Sequence, residues 1–134
     1  MKHVNIDPKS DFDIETMLRR GCDAQFTREY NCDLRRLFPW PDKVNTKRDM
    51  TEYGAIWVRV RAGEAVDEHS HDEEEAFIVL SGQADLHLEG KSTALRKGDV
   101  AYIPRFWTHQ LINTSDEPFE FLDIYWDFGG GEQE

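Results

Sequence analysis

The sequence predicts an all-β domain, a sandwich or a barrel, and three observations carry that prediction. From Gly54 onward apolar and polar residues alternate in short runs, the period of a pleated strand with one buried face. Six or so such runs follow one another at regular spacing. Gly, Pro and Asp stand between them, where turns need backbone freedom or a fixed φ. The 134 residues fit one domain around one core.

The runs can be taken in order. Ala55–Arg61 sets Ile56, Val58 and Val60 on one side and Trp57, Arg59 and Arg61 on the other. Glu75–Leu80 is a short apolar run that ends at the turn signal Ser81-Gly82. Gln83–Leu88 alternates, Glu89-Gly90-Lys91 turns the chain, and Ser92–Arg96 returns. Lys97-Gly98-Asp99 precedes Val100–Ile103. Thr108–Asn113 and Phe119–Trp126 are the last two expected strands, separated by Thr114 to Pro118.

The first 54 residues read differently and are expected to form an N-terminal arm that packs on the barrel or on a dimer partner. Asp13 to Arg20 suits a short helical turn closed by Gly21. Leu34 to Pro41 is an apolar patch interrupted by Pro39 and Pro41, which disfavour a helix interior or a central strand. Leu37, Phe38 and Trp40 read as a packing or dimer surface. Asp42 to Thr51 reads as a polar loop, residues 55–127 as the barrel, and 128–134 as a disordered tail.

Composition excludes several classes of function. A net charge of −11 repels phosphate backbones and anionic headgroups, so neither a nucleic acid nor a membrane is an expected partner. No stretch approaches the roughly 18 apolar residues of a membrane span. The first residues lack the apolar run of a secretory signal, so a cytoplasmic location is expected. Cys22 and Cys32 form neither a zinc quartet nor a redox pair and read as free thiols.

The chemistry gathers at His69 and His71, two residues apart and therefore on one face of an extended segment. Glu75 keeps their parity, and His109 lies far along the chain in another β run. Imidazoles with one carboxylate suit a borderline divalent metal such as Fe, Mn, Ni or Zn, whereas Ca²⁺ prefers oxygen alone.

Gly63-x5-His69-x-His71-x3-Glu75-x6-Gly82 resembles the first motif of the cupin family at every defining position. Gly98-x5-Pro104-x-Phe106-x2-His109-x3-Asn113 resembles the second, except that Phe106 stands where the family has glycine. The short stretch between them, Gln83 to Lys97, is similar to compact microbial single-domain cupins. The resemblance covers residues 55 to 126 and leaves the arm unexplained. It implies a double-stranded β-helix, or jelly-roll barrel, in which His69, His71, Glu75 and His109 hold one divalent metal ion. Gly63, Gly82 and Gly98 are expected at positive φ. Phe106 is expected to give its turn a different shape. A homodimer is expected from the family's habit and from the edges of a small barrel.

Four ligands leave one or two positions on a five- or six-coordinate ion for water, substrate or dioxygen, which is the arrangement of a catalytic metal. The imidazoles must be neutral to bind, so occupancy should fall below about pH 6. Some cupin lyases carry a tyrosine two residues after the Glu; Phe77 cannot replace it, and with Val79 it is expected to line the cavity. Tyr102 and Tyr125 are the candidates for proton transfer or substrate hydrogen bonding, against the alternative of amphipathic core residues with the hydroxyl at the rim. Arg59 and Arg61 either anchor a substrate anion or pair with acids on an exposed strand face. The acidic residues around the His pair (Asp67, Glu68, Asp72, Glu73, Glu74) read as a solvated rim, against the alternative of favouring a cationic or polyhydroxyl substrate, and His87 reads as a surface strand residue. The first functional reading is a metalloenzyme acting on a small polar metabolite by isomerase or epimerase, lyase or dioxygenase chemistry. The second is a non-catalytic, metal-dependent module that binds or senses a small molecule. A purely structural partner protein is the third.

Overall fold

A computed structural model describes residues 13–18, 20–23, 25–38 and 52–127. Nine antiparallel strands form two facing sheets, and no α-helix occurs among the described residues. The strands are β1 (Thr27–Glu29), β2 (Cys32–Phe38), β3 (Glu52–Val60), β4 (Glu74–Ser81), β5 (Gln83–Leu88), β6 (Lys91–Arg96), β7 (Val100–Ile103), β8 (His109–Ile112) and β9 (Phe119–Asp127). The large sheet runs β1-β2-β3-β9-β4-β7 and the small one β6-β5-β8. The architecture is the jelly-roll barrel.

The alternation read from sequence sets which residues meet between the sheets. Val58 and Val60 of β3, Phe77 and Val79 of β4, and Phe119 and Phe121 of β9 point inward from the large sheet, each 4% exposed or less. Ala84, Leu86, Leu95 and Leu111 answer them from the small sheet. Each large apolar side chain buried this way contributes roughly 1.5–3 kcal/mol before the entropy of ordering it is charged. The core occupies the end of the barrel where β3 finishes and β9 begins. Toward the other end the inward positions turn polar, with Glu75, Asp123 and Tyr125 on the same parity as Phe77 and Phe121.

Gly63, Gly82 and Gly98 adopt φ of 77°, 81° and 88°, as the turn chemistry requires. Phe106 corrects an expectation. It adopts φ 66° itself, so the turn takes a left-handed residue without glycine. Two contacts hold it there: its N–H donates to the His71 carbonyl at 2.8 Å, and the Arg105 guanidinium lies 5.3 Å from its ring centroid.

The arm holds the main departure from the sequence reading. Residues 32–38 form a strand, with Asp33 opposite Arg59 and Leu34 opposite Val58, so β2 extends the large sheet. β1 folds back on it through the two-residue turn Tyr30-Asn31. Cys32 and Leu34 join the core, and Cys32 is a buried free thiol whose pKa burial pushes up to about 12. Cys22 is free and exposed. The expected helical turn is a 3₁₀ turn over Ile14–Met17, capped by the Asp13 carboxylate accepting from the Glu15 N–H at 3.0 Å. Gly21 opens a second 3₁₀ turn, Gly21–Asp23, and does not close the first. The Asp42–Thr51 loop, the 128–134 tail and Trp40 lie outside the described residues.

Candidate metal centre

The segment before β4 runs antiparallel to β8, and this pairing builds the site. The His69 N–H donates to the His109 carbonyl at 3.1 Å and the His109 N–H to the His69 carbonyl at 3.0 Å. The two imidazoles therefore leave one rung of a β ladder side by side, with centroids 4.5 Å apart. His71 follows two residues later on the same face, 5.4 Å from both other rings. Its carbonyl is gripped by Phe106, and Asp72 next to it is paired with Arg105. The turn between β7 and β8 thus fixes the third imidazole.

Ring orientation follows from the other nitrogens. Nδ1 of His69 lies 2.6 Å from the Asp67 carbonyl, and Nδ1 of His109 lies 2.9 Å from the Trp107 carbonyl. A carbonyl can only accept, so Nδ1 carries the proton in both rings and Nε2 keeps its lone pair. One donor atom from each of His69, His71 and His109 falls within 4.8 Å of the others. Oε1 of Glu75 lies beside two of them, 2.9 Å from Nε2 of His71 and 3.2 Å from Nε2 of His109.

The donor set fits a divalent ion. Ligand atoms bonded at about 2.0–2.2 Å to one centre sit roughly 3 Å or slightly more apart, the spacing found here between carboxylate and imidazoles. Glu75 and His109 are each 3% exposed, and Oε1 of one and Nε2 of the other are buried without a directed hydrogen bond. Two such atoms left facing each other are costly unless something binds both.

Electrostatics divides the site. Burial alone would raise the Glu75 pKa, but His109, His71 and Asp123 overrule it and hold the carboxylate well below its usual range. Burial lowers His69, while Glu75 raises His71. Asp123, opposite Phe77 in the β4–β9 register, is pushed well upward by burial and by the Glu75 carboxylate beside it. Glu73 is pushed up to about 7 by burial and by Glu52.

His69, His71, Glu52, Glu73, Glu75 and Asp123 line a polar cavity of about 350 Å³ at the mouth of the barrel, together with Tyr30, Arg36 and Tyr125. Tyr125 reaches it because it faces Gly54 across the β3–β9 ladder, and its phenol lies over the space a side chain at 54 would fill. Burial raises its pKa. Tyr102 is not brought to the cluster. It is 53% exposed on the outer face of β7, where its hydroxyl meets Glu74 and its ring stacks on Trp126. β7 is apolar at every position, so no alternation along it shows which face Tyr102 takes.

Arg59 and Arg61 also face away from the cavity, paired with Glu120 and Asp33. Phe77 is 5.9 Å from the His109 ring and lines a small apolar space with His109, Leu34 and Phe121, while Val79 lies deeper in the core. Of the acidic rim, Asp67 and Glu68 are exposed and Glu73 turns inward. His87 is half-buried on β5. The sequence reading singles out none of Asp123, Glu52, Tyr30 and Arg36, and places Glu73 only in the acidic rim; for Asp123 the signal is present, an acid on the inward parity of Phe119, Phe121 and Tyr125.

Fold and cluster together define a small β-barrel protein with a three-imidazole, one-carboxylate site inside one end. The cupin domain family profile matches residues 56–125, and the chain belongs to the cupin family. Among solved structures, a cupin 2 conserved barrel domain protein from Salinispora arenicola is 32% identical with a TM-score of 0.71, over 85% of this chain and 91% of that one. A protein from Photorhabdus luminescens is 33% identical with a TM-score of 0.73, over 86% and 91%. A glucose-6-phosphate isomerase from Pyrococcus horikoshii is 39% identical over 59 residues, which is 40% of this chain and 31% of that protein. The match thus spans about a third of that isomerase's length. No helix among the described residues is long and apolar enough to cross a membrane.

Proposed function

We propose that the chain is a metal-dependent cupin enzyme acting on a small, polar, unphosphorylated metabolite. One observation carries the reading: donor nitrogens of His69, His71 and His109 gather within 4.8 Å of one another, the buried Oε1 of Glu75 lies beside Nε2 of His71 and of His109, and His69, His71 and Glu75 open onto a polar cavity. These four residues would hold one divalent ion of the Fe, Mn, Ni or Zn class, which supplies Lewis acidity when bound. The chain's own groups bind and orient the substrate. Tyr125 offers a phenol above the cluster, and Glu52, Glu73 and Asp123 offer acceptors for hydroxyl donors.

Of isomerase, lyase and oxygenase chemistry, isomerisation or epimerisation of a polyhydroxyl compound comes first, supported by the isomerase relatives and by this lining. A phosphate ester fits poorly. The only cation among the described lining residues, Arg36, holds the Glu29 carboxylate at 2.7 and 2.9 Å, and the remaining charged groups are acids. The reading includes a cytoplasmic homodimer.

Metal analysis of protein purified without added metal, beside a His109→Ala variant, is the first test. Near-stoichiometric metal in the parent and its loss from a still-folded variant are expected; unchanged metal content in the variant would refute the ligand set. Turnover of neutral aldoses and ketoses under nitrogen then separates isomerisation from oxygenation. Polyol binding without turnover would move the chain to the class of binding modules.

A further inference from the structure

The β1–β2 hairpin lies outside the segment matched by the cupin profile, yet its turn touches a metal ligand. Tyr30 and Asn31 occupy the turn with φ of 54° and 62°. Two-residue hairpin turns of this hand favour Asn, Asp and Gly, because a Cβ with a bulky substituent crowds the backbone at positive φ. Asn31 is such a residue. Tyr30 is not, and an L residue of its kind is strained in the left-handed region. Such strain persists where surrounding contacts fix it, and its location points to what the side chain does.

The surrounding contacts are on the page. The Asp67 N–H donates to the Tyr30 carbonyl at 3.1 Å, and Nδ2 of Asn31 donates to the Ala65 carbonyl at 2.9 Å. Arg28 ties the hairpin to Glu64 and to Asp33. The turn is thereby docked along residues 64–67, the stretch that leads into His69 and whose Asp67 carbonyl orients the His69 ring. Tyr30 stacks on that imidazole, centroids 5.8 Å apart and planes 27° from parallel, while more than half of its surface stays exposed at the cavity mouth. Asp67 holds His69 by its Nδ1 edge, and Tyr30 covers one ring face.

We infer that Tyr30 is a positioning residue of the candidate metal centre, its ring held by the strained turn against His69 so that Nε2 stays aimed at the cluster and a bound ion is slow to leave. The inference rests on the metal-binding reading and adds to it a residue contributed by the arm.

Tyr30→Asn tests it, because Asn is at ease at positive φ and removes the ring while keeping the turn. Protein loaded with Co²⁺ or Zn²⁺ is mixed with excess chelator and the rate of metal release is followed, with the Co²⁺ absorption spectrum as a second readout. An aromatic contact worth about 0.5–1.5 kcal/mol corresponds to release roughly two- to tenfold faster. Tyr30→Asn should show that acceleration with a shifted spectrum and undiminished thermal stability, and Tyr30→Phe should behave as the parent. Equal release rates for Tyr30→Asn and the parent would overturn the inference, as would Tyr30→Phe releasing metal as fast as Tyr30→Asn. A parent that takes up no metal at all would instead refute the metal-binding reading. A destabilised Tyr30→Asn hairpin is addressed by Tyr30→Leu, which keeps a bulky side chain in the turn without the aromatic face and should release metal as fast as Tyr30→Asn; release at the parent rate would overturn the inference.

Discussion

Asn113, fully buried at the end of β8, should be among the most costly residues to truncate. Its Nδ2 donates to the carbonyls of Val60 at 3.0 Å, Arg61 at 3.3 Å and Glu117 at 2.8 Å. Its Oδ1 accepts from the Ser115 N–H at 3.0 Å and the Ser115 hydroxyl at 2.6 Å. The side chain thus joins the end of β3 to the loop between β8 and β9. In Asn113→Ala the Val60 carbonyl loses its side-chain donor where water has little access, at roughly 1–3 kcal/mol, while the groups of Ser115 and Glu117 rehydrate at about 0.5–1 kcal/mol each. The total is about 3 kcal/mol, or roughly 10 °C in Tm for a domain of this size. Urea unfolding followed by tryptophan fluorescence measures it as a shift in midpoint at constant slope. Asn113→Asp should cost more than Asn113→Ala at neutral pH, since it sets a carboxylate against three carbonyl oxygens. A loss below about 1 kcal/mol for Ala, or an Asp variant more stable than Ala, would refute the hydrogen-bond account.

Three further outcomes are expected. Phe106→Gly should stabilise the fold by about 0.5–1 kcal/mol, because glycine accepts the φ of 66° that a bulky residue resists; a destabilised variant in thermal melts would mean that the Arg105 contact outweighs the strain. Glu29, lowered to about 2 chiefly by Arg36, binds fewer protons folded than unfolded between pH 2 and the ordinary carboxylate range near 4. Asp33 acts in the same direction: burial would raise its pKa, but Arg61 and Arg28 hold it below the usual range. The stabilisation from Glu29 is complete above the ordinary range and lost as pH falls through about 2, so the urea midpoint should drop on acidification and drop less in Glu29→Gln; a parallel pH dependence would exclude Glu29 from the effect. Gly54→Ala should cost about 1–3 kcal/mol and displace Tyr125 from the cavity, because the new Cβ would sit 2.7 Å from the Phe38 carbonyl and overlap the phenol; a crystal structure with Tyr125 unmoved would contradict this.

What the sequence made legible follows from how strongly each feature was patterned. β5 and β7 match their expected limits, and β4, β6, β8 and β9 shift by a residue or two, because turn residues bracket runs with one buried face. The ligand spacing was readable because His69, His71 and Glu75 share parity and the cupin motifs fix them. β2 was not readable. Its outward and inward positions both carry charge, at Asp33, Arg35 and Arg36, and the prolines just beyond it drew the eye to a break. β1 is only three residues long, and its turn lacks the glycine that announces a hairpin. The cavity wall escaped for a related reason: Glu52, Glu73 and Asp123 look like ordinary surface acids until the barrel closes and turns them inward.

The reciprocal rung between His69 and His109 has a thermodynamic consequence. Because main-chain pairing seats these two rings on its own, the proposed site needs little rearrangement to load, and uptake of an ion there would have little ordering entropy to overcome. Calorimetry should therefore record a small heat-capacity change on loading, in contrast to zinc fingers, whose chains fold only when the ion arrives.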